Sequence, residues 1–436
     1  MTLPNRQSLA PNAENAITIL TERAKECDAQ DSLASLISEF SLPKDCIYLD
    51  GNSLGPLPIR AKQRAKEVVE QQWGEDLITS WNKHKWIDLP YKVGSKIAPL
   101  LRCESSQVIA CDSISVNLTK VLCAALSMQQ RTSPQRNLVI SQRDNFPTDL
   151  YMVQGLGELL GAARCELLSV EQDAIYEVIE THGQQTAVLM LTHVNFRSGL
   201  VHDMRAITKA AHSKGILVVW DLAHSAGTLE LALDECEVDF AVGCTYKYLN
   251  GGPGAPAFVY AAKRHWPHIQ QPLSGWMGHK RPFDFCHDYQ AGEGMASFLV
   301  GTPPVVSMSV LDAALDVFDG ISSAKLRAKA QSLTQFFYEA FCALMPNTEF
   351  LMVSPQDASI RGSQLALAHP EAYAICQALI ANNVIADFRA PNILRLGFSP
   401  LFLSHQDLLH AALRLKEIMD KKSYMDKVFQ TKQAVT

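Results

Sequence analysis

The chain has 436 residues, 47% of them hydrophobic and 19% charged, which is enough to bury a large core in two domains and suits a soluble globular enzyme. A formal charge of -6 leaves no basic footprint for nucleic acid, and no run of about 18 apolar residues implies a membrane span. No basic stretch followed by a long apolar one opens the sequence, so no secretory signal is expected, and the 11 scattered cysteines form no C-x-x-C pair, which fits reduced thiols in the cytoplasm better than a disulfide frame or a zinc site.

In chain order, "SISVNLTKVLCAALSMQQ" predicts a helix with Ser113 or Ser115 as its N-cap. Five short apolar runs then predict strands: "NLVIS" (137–141), "TAVLMLTHV" (186–194), "GILVVWDLAH" (215–224), "VDFAVGC" (238–244) and "PAFVYA" (256–261). They are continuous rather than alternating, as expected of strands buried on both faces. "MRAITKAAHSKG" (204–215) predicts a helix closed by Gly215 after a basic last turn. This alternation argues for an α/β fold with a mostly parallel sheet. Beyond Gly301 the texture changes: Ser309 to Met345 reads as long helix, and the last hundred residues read as a smaller α+β domain. The expected division is residues 1–55 packing with the small domain, 56–305 as the large domain and 306–436 as the small C-terminal domain.

Ligands of open α/β sheets bind beyond the carboxyl ends of the strands. Polar residues gather at such ends: Thr192 and His193, Asp221 and His224, then Thr245, Tyr246 and Lys247. An aspartate and a lysine ending adjacent strands are the parts that pyridoxal phosphate (PLP) requires, since the amine joins the cofactor covalently and the carboxylate keeps the pyridine nitrogen protonated. The plainer reading is a buried ion pair without chemistry. Ile114 and Ser115, where a loop meets a helix, offer backbone N–H groups, a hydroxyl and the helix dipole to a phosphate, although a serine N-cap looks the same. "NGGPGAP" (250–256) follows a strand but opens no helix, so it is read as a bent connection, not a dinucleotide fingerprint. His193, His202 and His212 lack metal spacing, and no metal is expected.

Several runs together resemble the kynureninase family: "YLDGNSLGPLP" (48–58), "DNFPTDLYMVQGL" (144–156), "DLAHSAGTLEL" (221–231), "VDFAVGCTYKYLNGGPGAPAFVY" (238–260), "LSGWMGH" (273–279), "GTPPVVSMSVLDAALDVF" (301–318) and "NILRLGFSPLF" (392–402). The resemblance implies a PLP-dependent aminotransferase-type fold (fold type I) and a homodimer with shared active sites. It also implies hydrolysis of L-kynurenine to anthranilate and L-alanine, in tryptophan catabolism and pyridine nucleotide biosynthesis, with 3-hydroxykynurenine as a further substrate. Carried over by residue, Lys247 holds the cofactor, Tyr246 is a phosphate ligand and proton donor, and Asp221 pairs with the pyridine nitrogen beside His224. Phe146 stacks on the ring next to Asp149, and Ile114, Ser115 and Thr192 line the cofactor site. Trp276 and Thr302 reach the partner subunit's cofactor, and Arg395 takes the substrate carboxylate. Some members have Asn-Pro-Pro where this chain has Thr302-Pro303-Pro304. The shorter threonine hydroxyl, with its methyl group, leads us to expect a preference for L-kynurenine over its 3-hydroxy analogue.

Plainer readings stand beside these. Phe146 and Trp276 also fit core aromatics, and Arg395 also fits a surface ion pair. "WNKHKW" (81–86) is open between a substrate-facing loop and an exposed basic turn. The rival functions are another PLP enzyme, such as a cysteine desulfurase-like lyase, which needs a reactive cysteine on a mobile loop, and a binding protein that kept the fold without catalysis.

Overall fold

The computed structural model describes residues 13–432. Its centre is a seven-stranded sheet built from β1 (Val108–Ala110), β2 (Leu138–Gln142), β3 (Glu166–Val170), β4 (Thr186–Thr192), β5 (Leu217–Asp221), β6 (Phe240–Gly243) and β7 (Phe258–Ala261), in the order β1-β7-β6-β5-β4-β2-β3. β7 runs opposite to the other six strands, antiparallel to both β1 and β6. Both faces are covered, which is why the strands read as unbroken apolar runs. Val139, Val188, Met190, Val219 and Val242 face α2 (Ile114–Thr132) through its Leu118, Val121, Leu122 and Ala125. The alternate residues Ile140, Leu189, Leu191, Val218 and Trp220 belong to the opposite core, which continues into the C-terminal domain.

Two strands of this sheet escaped the sequence reading. β1 has three residues, too few for a period, and β3 is an edge strand whose Glu166 is exposed. The helical expectation for 309–345 is corrected: α5 (Val305–Ala314) ends in a short 3-10 turn, the chain bends at Gly320 with φ +74°, and α6 (Ser323–Leu344) starts afresh with Ser322 as its N-cap. In "NGGPGAP", Gly252 and Gly254 adopt φ +85° and +74°, a left-handed geometry that glycine accepts without strain, and no helix follows.

A four-stranded antiparallel sheet forms from β8 (Leu351–Met352), β9 (Gln364–Ala368), β10 (Asp387–Arg389) and β11 (Ile393–Gly397), in the order β8-β9-β11-β10. The N-terminal segment packs against this region. Asp28 accepts from the His405 backbone at 2.7 Å, Asp31 pairs with the buried Lys329 at 2.6 Å, and Ile47–Tyr48 runs parallel to Val384–Ile385. Among the described residues no helix is long and apolar enough to cross a membrane.

Candidate active site

The strand register sets the site. Thr192, Asp221 and Val242 stand side by side at the carboxyl ends of β4, β5 and β6. The turn after β6 then carries Cys244, Tyr246 and Lys247 to the mouth of a cavity of about 230 Å³. From the other side come Ser113, Ile114 and Ser115 at the start of α2, and Phe146, Thr148 and Asp149 at the start of α3 (Pro147–Leu160). Ser113 is the true N-cap of α2, accepting from Val116 N, so Ser115 sits inside the first turn, where backbone N–H groups have no intrahelical acceptor.

The "DNF" turn is braced. Asn145 Nδ2 donates to Ser141 Oγ at 3.0 Å, while its Oδ1 accepts from Phe146 N at 2.7 Å and from the Thr192 hydroxyl. The Phe146 ring stands edge-on to Phe196 with centroids 5.3 Å apart. Gly55 is fixed by close approach: its N–H donates to Tyr246 O at 2.7 Å, and a Cβ there would lie 2.4 Å from Lys247 O.

Charge is arranged around Lys247. Its Nζ lies 3.0 Å from His224 Nε2 and 5.9 Å from the Phe146 ring centroid. Burial, then the neighbouring Lys247 charge, pushes His224 well below the usual imidazole range, so this ring is neutral. Burial raises Asp221, with Lys247 opposing, and Ala223 N donates to Asp221 Oδ1 at 2.8 Å. Burial and the Asp221 charge hold Asp149 well above the carboxylate range. Both Asp149 oxygens and His224 Nδ1 are buried without a hydrogen-bond partner. Buried polar groups are rarely left so, and these three belong to residues lining one cavity.

These contents fit PLP: an anion-binding helix start, a primary amine, a buried carboxylate for a pyridinium nitrogen and unsatisfied polar atoms awaiting a ligand.

A kynureninase from Pseudomonas fluorescens is 43% identical to this chain over 409 residues, covering 94% of this chain and 98% of the relative. One from Burkholderia mallei (strain SAVP1) is 44% identical over 418 residues, covering 95% and 99%. The chain belongs to the kynureninase family. Residues 326–415 match the family described as the kynureninase C-terminal domain. Among solved structures, the apo cysteine desulfurase from Thermococcus onnurineus NA1 superposes with TM-score 0.74 at 17% identity, covering 89% of this chain and 98% of its own. A C-DES variant with glycine covalently linked to its PLP cofactor superposes with TM-score 0.72 at 16% identity, covering 86% and 97%. At that identity the likeness shows a shared fold.

Within this kynureninase-family chain, Ile114, Ser115, Phe146, Asp149, Thr192, Asp221, His224, Tyr246 and Lys247 converge on the one cavity. Trp276 and Thr302 do not line it. Trp276 is partly exposed and lies against Phe283 and Phe285, themselves exposed, and Thr302 is exposed. Arg395 is no surface residue but is fully buried behind the cavity wall, its Nη1 donating to Phe196 O at 2.7 Å. "WNKHKW" folds on itself: Trp81 and Trp86 meet edge to face, Trp86 Nε1 donates to Gln72 Oε1 at 2.8 Å, and Lys83 and His84 both hold Asp76.

The sequence reading did not single out Thr148, Phe196, Ala223 and Cys244, which also line the cavity. Phe196 follows the end of β4 by four residues, and that spacing was the available signal. Burial pushes the Cys244 thiol up, with Lys247 opposing, which disfavours the thiolate that a desulfurase nucleophile needs.

Proposed function

We propose that this chain is a PLP-dependent hydrolase that cleaves the Cβ–Cγ bond of L-kynurenine, consuming one water and yielding anthranilate and L-alanine. The observation that carries the reading is the pairing of Lys247 with Asp221 at neighbouring strand ends in a chain 43% identical to a named kynureninase over nearly its whole length. Ile114 and Ser115 would hold the phosphate side of PLP, Phe146 its ring face, Asp221, beside Thr192, its pyridine nitrogen and Lys247 its aldehyde carbon. When bound, the cofactor supplies an electron sink for the substrate carbons.

The side chains do the rest. Lys247 is the movable base for the Cα proton, and the neutral His224 receives a hydrogen bond from its amine at 3.0 Å rather than repelling it. Tyr246 is kept in its phenol form because burial pushes its pKa up, so it can donate a proton near the γ ketone. Phe146 and Phe196 shield the reacting centre on one side. Arg395 clamps the substrate carboxylate.

Further readings belong with this one. The large unit spans 56–305 and the small one 306–436, with 1–55 joined to the small unit. The enzyme works as a homodimer in the cytoplasm, in tryptophan catabolism and pyridine nucleotide biosynthesis. Trp276 and Thr302 complete the partner's site, a reading supported by the exposed Trp276, Phe283 and Phe285 rings. L-kynurenine is preferred over the 3-hydroxy form. Incubating the purified, PLP-supplemented protein with L-kynurenine tests the central reading: anthranilate fluorescence with equimolar alanine is expected, and release of neither product overturns it.

A further inference from the structure

The run "DGNS" (50–53) takes no part in the cavity, yet it meets Arg395 in the fold. Arg395 lies on β11 directly opposite Asp387 on β10. Its Nε donates to Asp387 Oδ1 at 2.9 Å, and its Nη2 donates to Asp387 Oδ2 and, at 2.8 Å, to Ser53 Oγ. The Ser53 hydroxyl is saturated: it also accepts from Arg389 Nη2 at 3.0 Å and donates to Asp387 Oδ2 at 2.6 Å. With its amide oxygen facing the guanidinium, Asn52 shares the single Nε hydrogen with Asp387, at 2.9 Å. Nη1 donates to Phe196 O at 2.7 Å, and Phe196 lines the cavity. Four of the five guanidinium hydrogens are therefore engaged. The second Nη1 hydrogen has no acceptor among the described residues, and it shares its nitrogen with the hydrogen bonded to Phe196, which lines the cavity.

We propose that Asp387, Ser53 and Asn52 are positioning residues: they fix the rotamer and plane of Arg395 so that its remaining Nη1 hydrogen and its charge meet the amino-acid carboxylate of the substrate. The proposal rests on the reading of Arg395 as the carboxylate clamp. The same cluster is short of negative charge. Arg389 and Arg395 face Asp387 and Asp50, but burial, then the Asp387 charge, keeps Asp50 well above the usual carboxylate range. A substrate carboxylate supplies the missing anion. The turn is also tied to the lysine, since Gly55 N bonds Tyr246 O at 2.7 Å and Gly397 N bonds Leu49 O at 2.7 Å. One short turn thus sets the separation between the carboxylate clamp and the base, which a preorganised site requires.

The test uses the full-length, PLP-loaded enzyme and the variants Ser53→Ala, Asp387→Asn and Arg395→Ala. Ser53→Ala should raise KM for L-kynurenine about five- to tenfold, with kcat within twofold, while PLP absorbance stays that of the parent and the thermal midpoint falls by only a few degrees. The inhibition constant of the decarboxylated amine analogue of kynurenine should not change, because that ligand brings no carboxylate. Ser53→Thr, which restores the hydroxyl, should restore KM. Asp387→Asn should act in the same direction more strongly, and if it does not fold, Ser53→Ala decides alone. An unchanged KM in Ser53→Ala overturns the proposal, as does a parallel rise in KM and in the amine's inhibition constant, or a loss of bound PLP. If instead Arg395→Ala leaves KM unchanged, the clamp reading itself fails.

Discussion

Lys247 is one of 39 basic side chains, but it ends a strand next to Asp221, with a neutral imidazole 3.0 Å from its amine. Borohydride treatment of the PLP-loaded protein followed by peptide mapping should therefore find the pyridoxyl group on Lys247, and finding it on another lysine ends this assignment. Asp221 supplies the opposite charge. Asp221 lines the cavity, so Asp221→Ala should still fold, losing the bond that its carboxylate accepts from Ala223 N. It should bind PLP more weakly and lose about 100- to 1,000-fold in kcat, because a preorganised charge no longer stabilises electron flow into the ring. Spectrophotometric PLP titration with steady-state kinetics checks both parts, and near-parental turnover would remove Asp221 from the mechanism.

The strands that hold these residues also bury two imidazoles. His193 is pushed down to about 3, by burial and then by His202, and His202 to about 4, by burial with Asp144 opposing. An unfolded chain protonates histidine near 6.5, so below that pH the unfolded state binds more protons and stability falls. Each ring should contribute about 2 kcal/mol of stability at pH 7 that is lost by pH 5. Urea unfolding across this range should show the decline, and His202→Gln should flatten it; an identical slope in the variant would locate the acid sensitivity elsewhere. Elements such as β4 and β5 were legible in the sequence because burial on both faces leaves an unbroken apolar run, and Asp221 and Lys247 were legible because they interrupt such runs at their ends. β1 and β3 were not, being too short or too exposed for that signal. The hold on Arg395 was invisible for a different reason: Ser53 and Arg395 are 342 positions apart, and no local pattern records a contact made by tertiary folding.

For the whole molecule, the cavity accounts for nine of the residues carried over from the resemblance and leaves Arg395 behind its wall and Trp276 and Thr302 away from it. The Trp276 ring stacks with Phe285, itself 73% exposed, on a segment without long helices or strands, where aromatic area faces solvent in a single chain. A second copy covering that surface would bring both residues to its own cavity and bury the rings together. If Thr302 then faces the substrate ring, Thr302→Asn should narrow the preference for L-kynurenine over the 3-hydroxy form, read as the ratio of the two kcat/KM values. Sharing also predicts complementation. A Lys247→Ala subunit lacks the base but presents an intact Trp276, while a Trp276→Ala subunit keeps the base and lacks the ring. Each homodimer should be nearly inactive. After the two are mixed and allowed to exchange, half of a statistical population is hybrid, and each hybrid holds one site with both Lys247 and the partner's Trp276 intact. Activity should therefore recover to about a quarter of the parental value per subunit, since one of two sites works in half of the dimers. Recovery should follow subunit exchange in time, and a parental enzyme that is monomeric and fully active in sedimentation would exclude shared sites.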